Sequence, residues 1–94
     1  MKVKITKVFR NKLNSQVEFI AQDKPGAARK FKNDLITRIK EIAAMPYRNR
    51  KSVFFDQEEI RDLVYKGYLI VYKVDESTRE IIVFGFVKYE ENLH

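Results

Sequence analysis

The chain of 94 residues contains no cysteine and no tryptophan, a single histidine, two prolines and three glycines. Without cysteine there is neither a disulfide framework nor a thiolate metal site, and His94 alone gives no second imidazole for a histidine-based one. No apolar run approaches the ~20 residues that a membrane-spanning helix requires. The opening stretch MKVKITKVF lacks the apolar core of a signal peptide. There is no glycine-rich phosphate loop and no serine–histidine arrangement. The adjacent pair Glu58 and Glu59 would face opposite ways on a strand, so it is not a paired-carboxylate site. No cofactor and no metal are expected, and the lack of thiols fits a reducing cytoplasm.

What is present describes a small folded domain. Hydrophobic residues make up 45% and charged residues 34%, a balance that supports one domain over residues 1–94 with a single modest core. The formal charge of +6 is uneven. Residues 1–50 hold 13 Lys and Arg against 4 Asp and Glu (+9), whereas residues 51–94 hold 6 against 9 (−3). A basic half favours nucleic acid or an acidic protein partner through long-range attraction, although scattered lysines also serve solubility alone.

The stretch from Ile60 to Lys88 organises the rest. Runs of β-branched and aromatic residues, Tyr68–Tyr72 and Ile81–Val87, are interrupted by Gly67 and by the polar turn Asp75–Arg79. This predicts three consecutive antiparallel strands. In the middle strand Tyr68, Ile70, Tyr72 and Val74 alternate with Leu69 and Val71. In the last, Ile81, Val83, Gly85 and Val87 alternate with Ile82, Phe84 and Phe86. Both faces are therefore apolar and need cover, one from the chain's own helices and the other, in part, from a partner.

Upstream, Lys2–Thr6 alternates as a short strand, with Thr6 placed to cap a helix. Phe9, Leu13, Val17 and Ile20 mark one face of that helix, with Asn14-Ser15 as a weak point. Pro25 suits the first turn of a second helix, whose stripe is Ala28, Phe31, Leu35, Ile39 and Ile42, and Pro46 stops it. Tyr47–Lys51 (YRNRK) is a basic loop, and Val53-Phe54-Phe55 is either a short strand or a packed loop. The expected fold is α+β in the order β-α-α-β-β-β. A two-helix hairpin packs on a twisted antiparallel sheet of about four strands.

This ordered set, from Val3 to about Tyr89, includes Ile60-Arg61-Asp62-Leu63, Tyr68-x-Ile70-x-Tyr72-x-Val74 and Ile82-x-Phe84-x-Phe86-x-Lys88. It resembles the RelE/ParE superfamily of bacterial toxins from type II toxin–antitoxin systems. The resemblance implies a cognate antitoxin whose acidic or amphipathic tail wraps the toxin, and a hetero-oligomer with it. RelE-like members are ribosome-dependent messenger RNA endonucleases; ParE-like members poison DNA gyrase. RelE-like sequences carry an arginine just after the tyrosine matching Tyr68. Here that residue is Leu69, while Arg61 matches an arginine common among ParE-like members. The resemblance thus points to the ParE-like branch, with growth inhibition through gyrase and no catalysis.

The alternative of ribosome-dependent messenger RNA cleavage would use Arg61, Lys88 and Tyr89 as cation, phosphate clamp and general acid. Arg61 is equally suited to an ion pair with Glu58 or Glu59. For Lys88 and Tyr89 the favoured reading is the plainer one, with Lys88 ending a strand in solvent and Tyr89 packing its ring on the sheet. Arg48, Arg50 and Lys51, beside Tyr47, have the composition of a nucleic-acid or target contact, so a plain basic nucleic-acid-binding module is a second alternative.

Overall fold

In the computed structural model, which describes residues 1–88, the chain runs β1 (Lys2–Ile5), α1 (Lys7–Asp23), α2 (Pro25–Ile42), β2 (Arg50–Lys51), β3 (Ile60–Tyr65), β4 (Tyr68–Asp75) and β5 (Glu80–Lys88). The expected order holds. Thr6 caps α1 by accepting the Phe9 amide proton at 3.1 Å, a contact worth about 1 kcal/mol. Helix α1 continues through Asn14-Ser15 without a break, and Pro25 begins α2. All five residues of the α2 stripe are buried, as are Phe9 and Leu13 of α1. The β3–β4 turn uses Lys66 and Gly67, both with positive φ (44° and 82°).

The sheet has five strands in the order β1-β5-β4-β3-β2. Two features depart from the simple antiparallel expectation. The first strand pairs with the last in parallel, because two helices intervene and return the chain past the sheet. The extra strand, β2, is only two residues long and pairs Arg50 with Asp62 and Lys51 with Arg61.

A β-bulge changes the facing of β5. Val71 pairs with Gly85 but Tyr72 pairs with Val83, so Phe84 has no opposite number on β4. Strict alternation would place Phe86 with Ile82 and Phe84. The extra residue instead turns Phe86 to the helix side, where it meets Phe9 edge-on at 5.7 Å and stacks on Tyr68 at 5.0 Å. Gly85 is required at this crossing: a Cβ there would lie 2.9 Å from the Val71 Cβ.

The helix-side core gathers Phe9, Leu35, Ile39, Ile70, Tyr72, Val74, Ile81 and Val83. On the opposite face, Leu69 and Val71 are also buried, at 0% and 2% exposure. No partner is needed to cover them, contrary to the expectation from the alternating pattern. The chain's own segment 52–55 crosses this face: Val53 is tied to Asp62, the pairing partner of Val71, and Phe55 lies against Phe84 at 5.9 Å. It is the packed loop of the two options the sequence left open. Replacing Gly85 by Ala is expected to lower unfolding free energy by about 1–3 kcal/mol through overpacking against Val71. Urea denaturation measures this, and an unchanged midpoint would show the bulge is looser than described.

Candidate functional site

Two regions carry side chains that the core does not absorb. The first is the segment from Met45 to Phe55, which leaves α2 on the helix side, joins the edge of β3 through β2, and ends on the opposite face. Its local course is fixed by a small polar network. The Tyr72 hydroxyl, on a fully buried ring, donates to the Pro46 carbonyl at 2.6 Å and accepts from the Asn49 side-chain amide at 3.1 Å. Burial raises the Tyr72 pKa; Asn49 and the nearby arginines oppose the rise. Tyr72 therefore stays a neutral donor. The Tyr47 hydroxyl donates to Glu76 at 3.0 Å, and its pKa is raised by burial and by that bond.

Arg61 holds the other side of the segment. Its guanidinium donates to the Asn49 carbonyl at 3.1 Å, to the Glu58 carbonyl at 2.7 Å and to the Glu58 carboxylate at 3.0 Å, and it lies 4.9 Å over the Tyr47 ring. Of the two uses the sequence allowed, the ion pair is the one formed. Lys51 is drawn to Asp56 at 2.7 Å and to Glu58 at 3.8 Å, which raises the Lys51 pKa and lowers that of Asp56. Arg48 and Arg50 stand exposed between these fixed points.

Asp62 fastens the continuation. Its side chain is completely buried, Oδ2 accepts the Val53 amide proton at 2.9 Å, and the Arg50 guanidinium approaches to 3.8 Å. Ser52 assists: its amide donates to the Ile60 carbonyl, and its hydroxyl accepts from the Phe54 amide. Asp62 Oδ1 has no hydrogen-bond partner among the described residues, nor has the Tyr65 hydroxyl. The role of Asp62 was not legible in sequence, where it reads only as the neighbour of Arg61. Its position in an otherwise apolar strand was the available signal.

The second region is an open groove of about 520 Å³ between α1 and the end of β5, lined by Asn11, Lys12, Ser15, Gln16, Phe19, Tyr68, Phe86 and Lys88. Its floor is the stacked Tyr68–Phe86 pair and its rim carries Phe19, 67% exposed, and two lysines. Pairing with β1 stops at Val83, whereas β5 continues to Lys88. The last five residues of β5 therefore have β4 on one side and no strand on the other, among the described residues.

Of the three residues named for RNA cleavage, the two that are described, Arg61 and Lys88, are not brought together. Lys88 opposes Tyr68 across the β4–β5 pair and Arg61 opposes Tyr72 across β3–β4. Four residues along β4 separate the two levels by roughly 13 Å. Tyr89 lies outside the described residues. Among the described residues, no group of three or more His, Asp or Glu is placed to hold a metal, and no helix is long and apolar enough to cross a membrane.

A two-helix hairpin packs over a bulged sheet in an α+β domain, with an open groove beside the last strand. The sequence model of the ParE toxin of the type II toxin–antitoxin system parDE matches residues 3–91, so the chain belongs to that toxin family. A solved structure described as the chromosomal ParDE toxin–antitoxin system from P. aeruginosa superposes with a TM-score of 0.79. That match covers 96% of this chain and 97% of the other at 16% identity, a likeness of fold. No curated protein matches the sequence.

Removing the Asp62 carboxylate strands the Val53 amide and frees segment 52–55 from the face it covers. Asp62→Ala is expected to lower unfolding free energy by about 2–3 kcal/mol, and Asp62→Asn, which keeps an acceptor, by less than half of that. Equal losses for the two variants in urea titration would show that the carboxyl does not fasten the loop.

Proposed function

We propose that this protein is a growth-inhibiting toxin, acting as a single cytoplasmic domain over residues 1–94. It is held inactive by a cognate antitoxin and acts on DNA gyrase by binding. Family membership supports the toxin class. The observation that carries the antitoxin reading is the groove. A ready-made aromatic floor, two rim lysines and a strand edge without a neighbour suit an acidic, amphipathic segment that lays a helix along α1 or adds a strand to β5. A tail of that kind folds as it binds and gains from the basic N-terminal half.

Binding rather than catalysis is favoured by the position after Tyr68. Leu69 is uncharged and buried to 0% exposure, so this position offers no cation. Arg61 spends its donors on the chain's own carbonyls and Glu58. Ribonuclease activity would require Arg61, Lys88 and Tyr89 to meet one phosphate, and the register of the strands separates the first two. No observation favours the plain nucleic-acid-binding module over the toxin reading.

Two experiments test this. Purified protein is expected to inhibit supercoiling of relaxed plasmid by gyrase while leaving messenger RNA on translating ribosomes intact; site-specific messenger cleavage would overturn the reading. For the groove, Phe19→Glu removes an exposed ring and adds like charge without touching the core. The Kd for the acidic product of the adjacent reading frame should rise about tenfold or more by calorimetry, with the thermal midpoint unchanged. An unaltered Kd would place the antitoxin elsewhere.

A further inference from the structure

The exposed large apolar side chains are not spread evenly. Of the nine among the described residues (Val8, Phe19, Met45, Tyr47, Val53, Phe54, Phe55, Val64 and Val87), five fall within the eleven residues 45–55. Arg48 and Arg50 are exposed in the same stretch. None of these residues lines the groove beside β5. The segment starts along the β3 edge, at the other side of the sheet from β1, and ends on the face opposite the helices, where Phe55 meets Phe84 of β5 at 5.9 Å.

An exposed connection of this kind would ordinarily be loose. Here it is fastened at four successive points: Pro46 and Asn49 by Tyr72, Tyr47 by Glu76, Asn49 again by Arg61, and Val53 by Asp62. A segment held in shape while its apolar and cationic side chains face solvent loses little further freedom on binding, which is how preorganised recognition surfaces gain affinity.

We propose that residues 45–55 form the surface that engages the toxin's target. Arg48 and Arg50 are its contacting cations, and Tyr72 and Arg61 are positioning residues that hold the segment in its binding shape. The partner that fits is a protein surface with carboxylates around an apolar centre. Met, Tyr, Phe and Arg together are the composition enriched at protein–protein interfaces. A phosphate-tracking surface needs a longer run of available cations, whereas Lys51 is already drawn to Asp56 and Glu58, and Arg50 approaches Asp62. Because this surface and the groove are separate, an antitoxin seated in the groove does not have to cover it. The proposal rests on the toxin reading above.

The test uses the full chain and two readouts: the concentration giving half-inhibition of purified gyrase, and survival after induced expression, which does not depend on the target's identity. Replacing both arginines (Arg48→Ala with Arg50→Ala) should raise the half-inhibitory concentration at least about tenfold and relieve growth arrest. Affinity for the acidic partner at the groove should stay unchanged. Tyr72→Phe keeps the buried ring and removes only its two hydrogen bonds; a loss of about threefold or more is expected.

Adding Tyr72→Phe to the arginine pair should cause no further loss, since a positioning residue acts only through what it positions. A purely structural role would instead give additive losses and weaken the groove equally, and that outcome overturns the positioning assignment. An arginine pair that arrests growth as the wild type does overturns the surface. Tight binding to free duplex DNA that falls steeply with salt and is lost with the arginines overturns the choice of a protein partner. Wild-type arrest without gyrase inhibition would count against the gyrase reading alone, leaving the surface to be judged by survival.

Discussion

The middle strand, β4, has to be covered twice. Five of its eight residues in succession, Tyr68 to Tyr72, are buried, and they point alternately to both sides of the sheet. The helices satisfy one side with the stripes of α1 and α2. The other side has no helix, so the chain folds its own loop, 52–55, under the sheet and secures it with a buried carboxylate. Nearly everything else about the surface follows from that second cover. The apolar residues of that loop, Val53, Phe54 and Phe55, are themselves left half-open to water.

Exposure has thus been moved from the sheet to the segment beside β3. A bare sheet face would be a broad, unspecific apolar surface and an aggregation hazard. A short segment fixed by Tyr72, Arg61 and Asp62 presents a smaller surface of defined shape. The groove beside β5 has a different origin. It arises because β1 is shorter than the strand it pairs with, so that among the described residues no strand lies beside the end of β5, next to α1 and the Tyr68–Phe86 pair. A toxin that must recognise both an inhibitor and a target gains from two surfaces that originate in different parts of the fold.

The elements themselves were legible in the sequence because they rest on local chemistry. The threonine cap, the proline at the start of α2 and the 3.6-residue stripes each act within a few residues of themselves. What was not legible depends on distant pairing. The bulge at Phe84 has no signature beyond a glycine in a strand, yet it decides which way Phe86 points and so builds the floor of the groove. The parallel pairing of β1 with β5 is set by how two helices cross the sheet. Composition points to Arg48, Arg50 and Lys51 as candidates, but not to Tyr72 and Asp62, the side chains that hold their segment. A buried tyrosine in a strand looks the same in sequence whether its hydroxyl is idle or holds a loop. Arg61 was read as equally able to grip a phosphate or a carboxylate; only the positions of Glu58 and Asn49 decide between these.

Hydrogen–deuterium exchange on the protein with and without its acidic antitoxin tests the separation of the two surfaces most directly, because it reports each backbone amide in the intact chain. The account predicts added protection in α1 from Asn11 to Phe19 and in β5 from Phe84 to Lys88, with segment 45–55 exchanging as it does in the free protein. Protection concentrated in 45–55, with the groove unchanged, would contradict it.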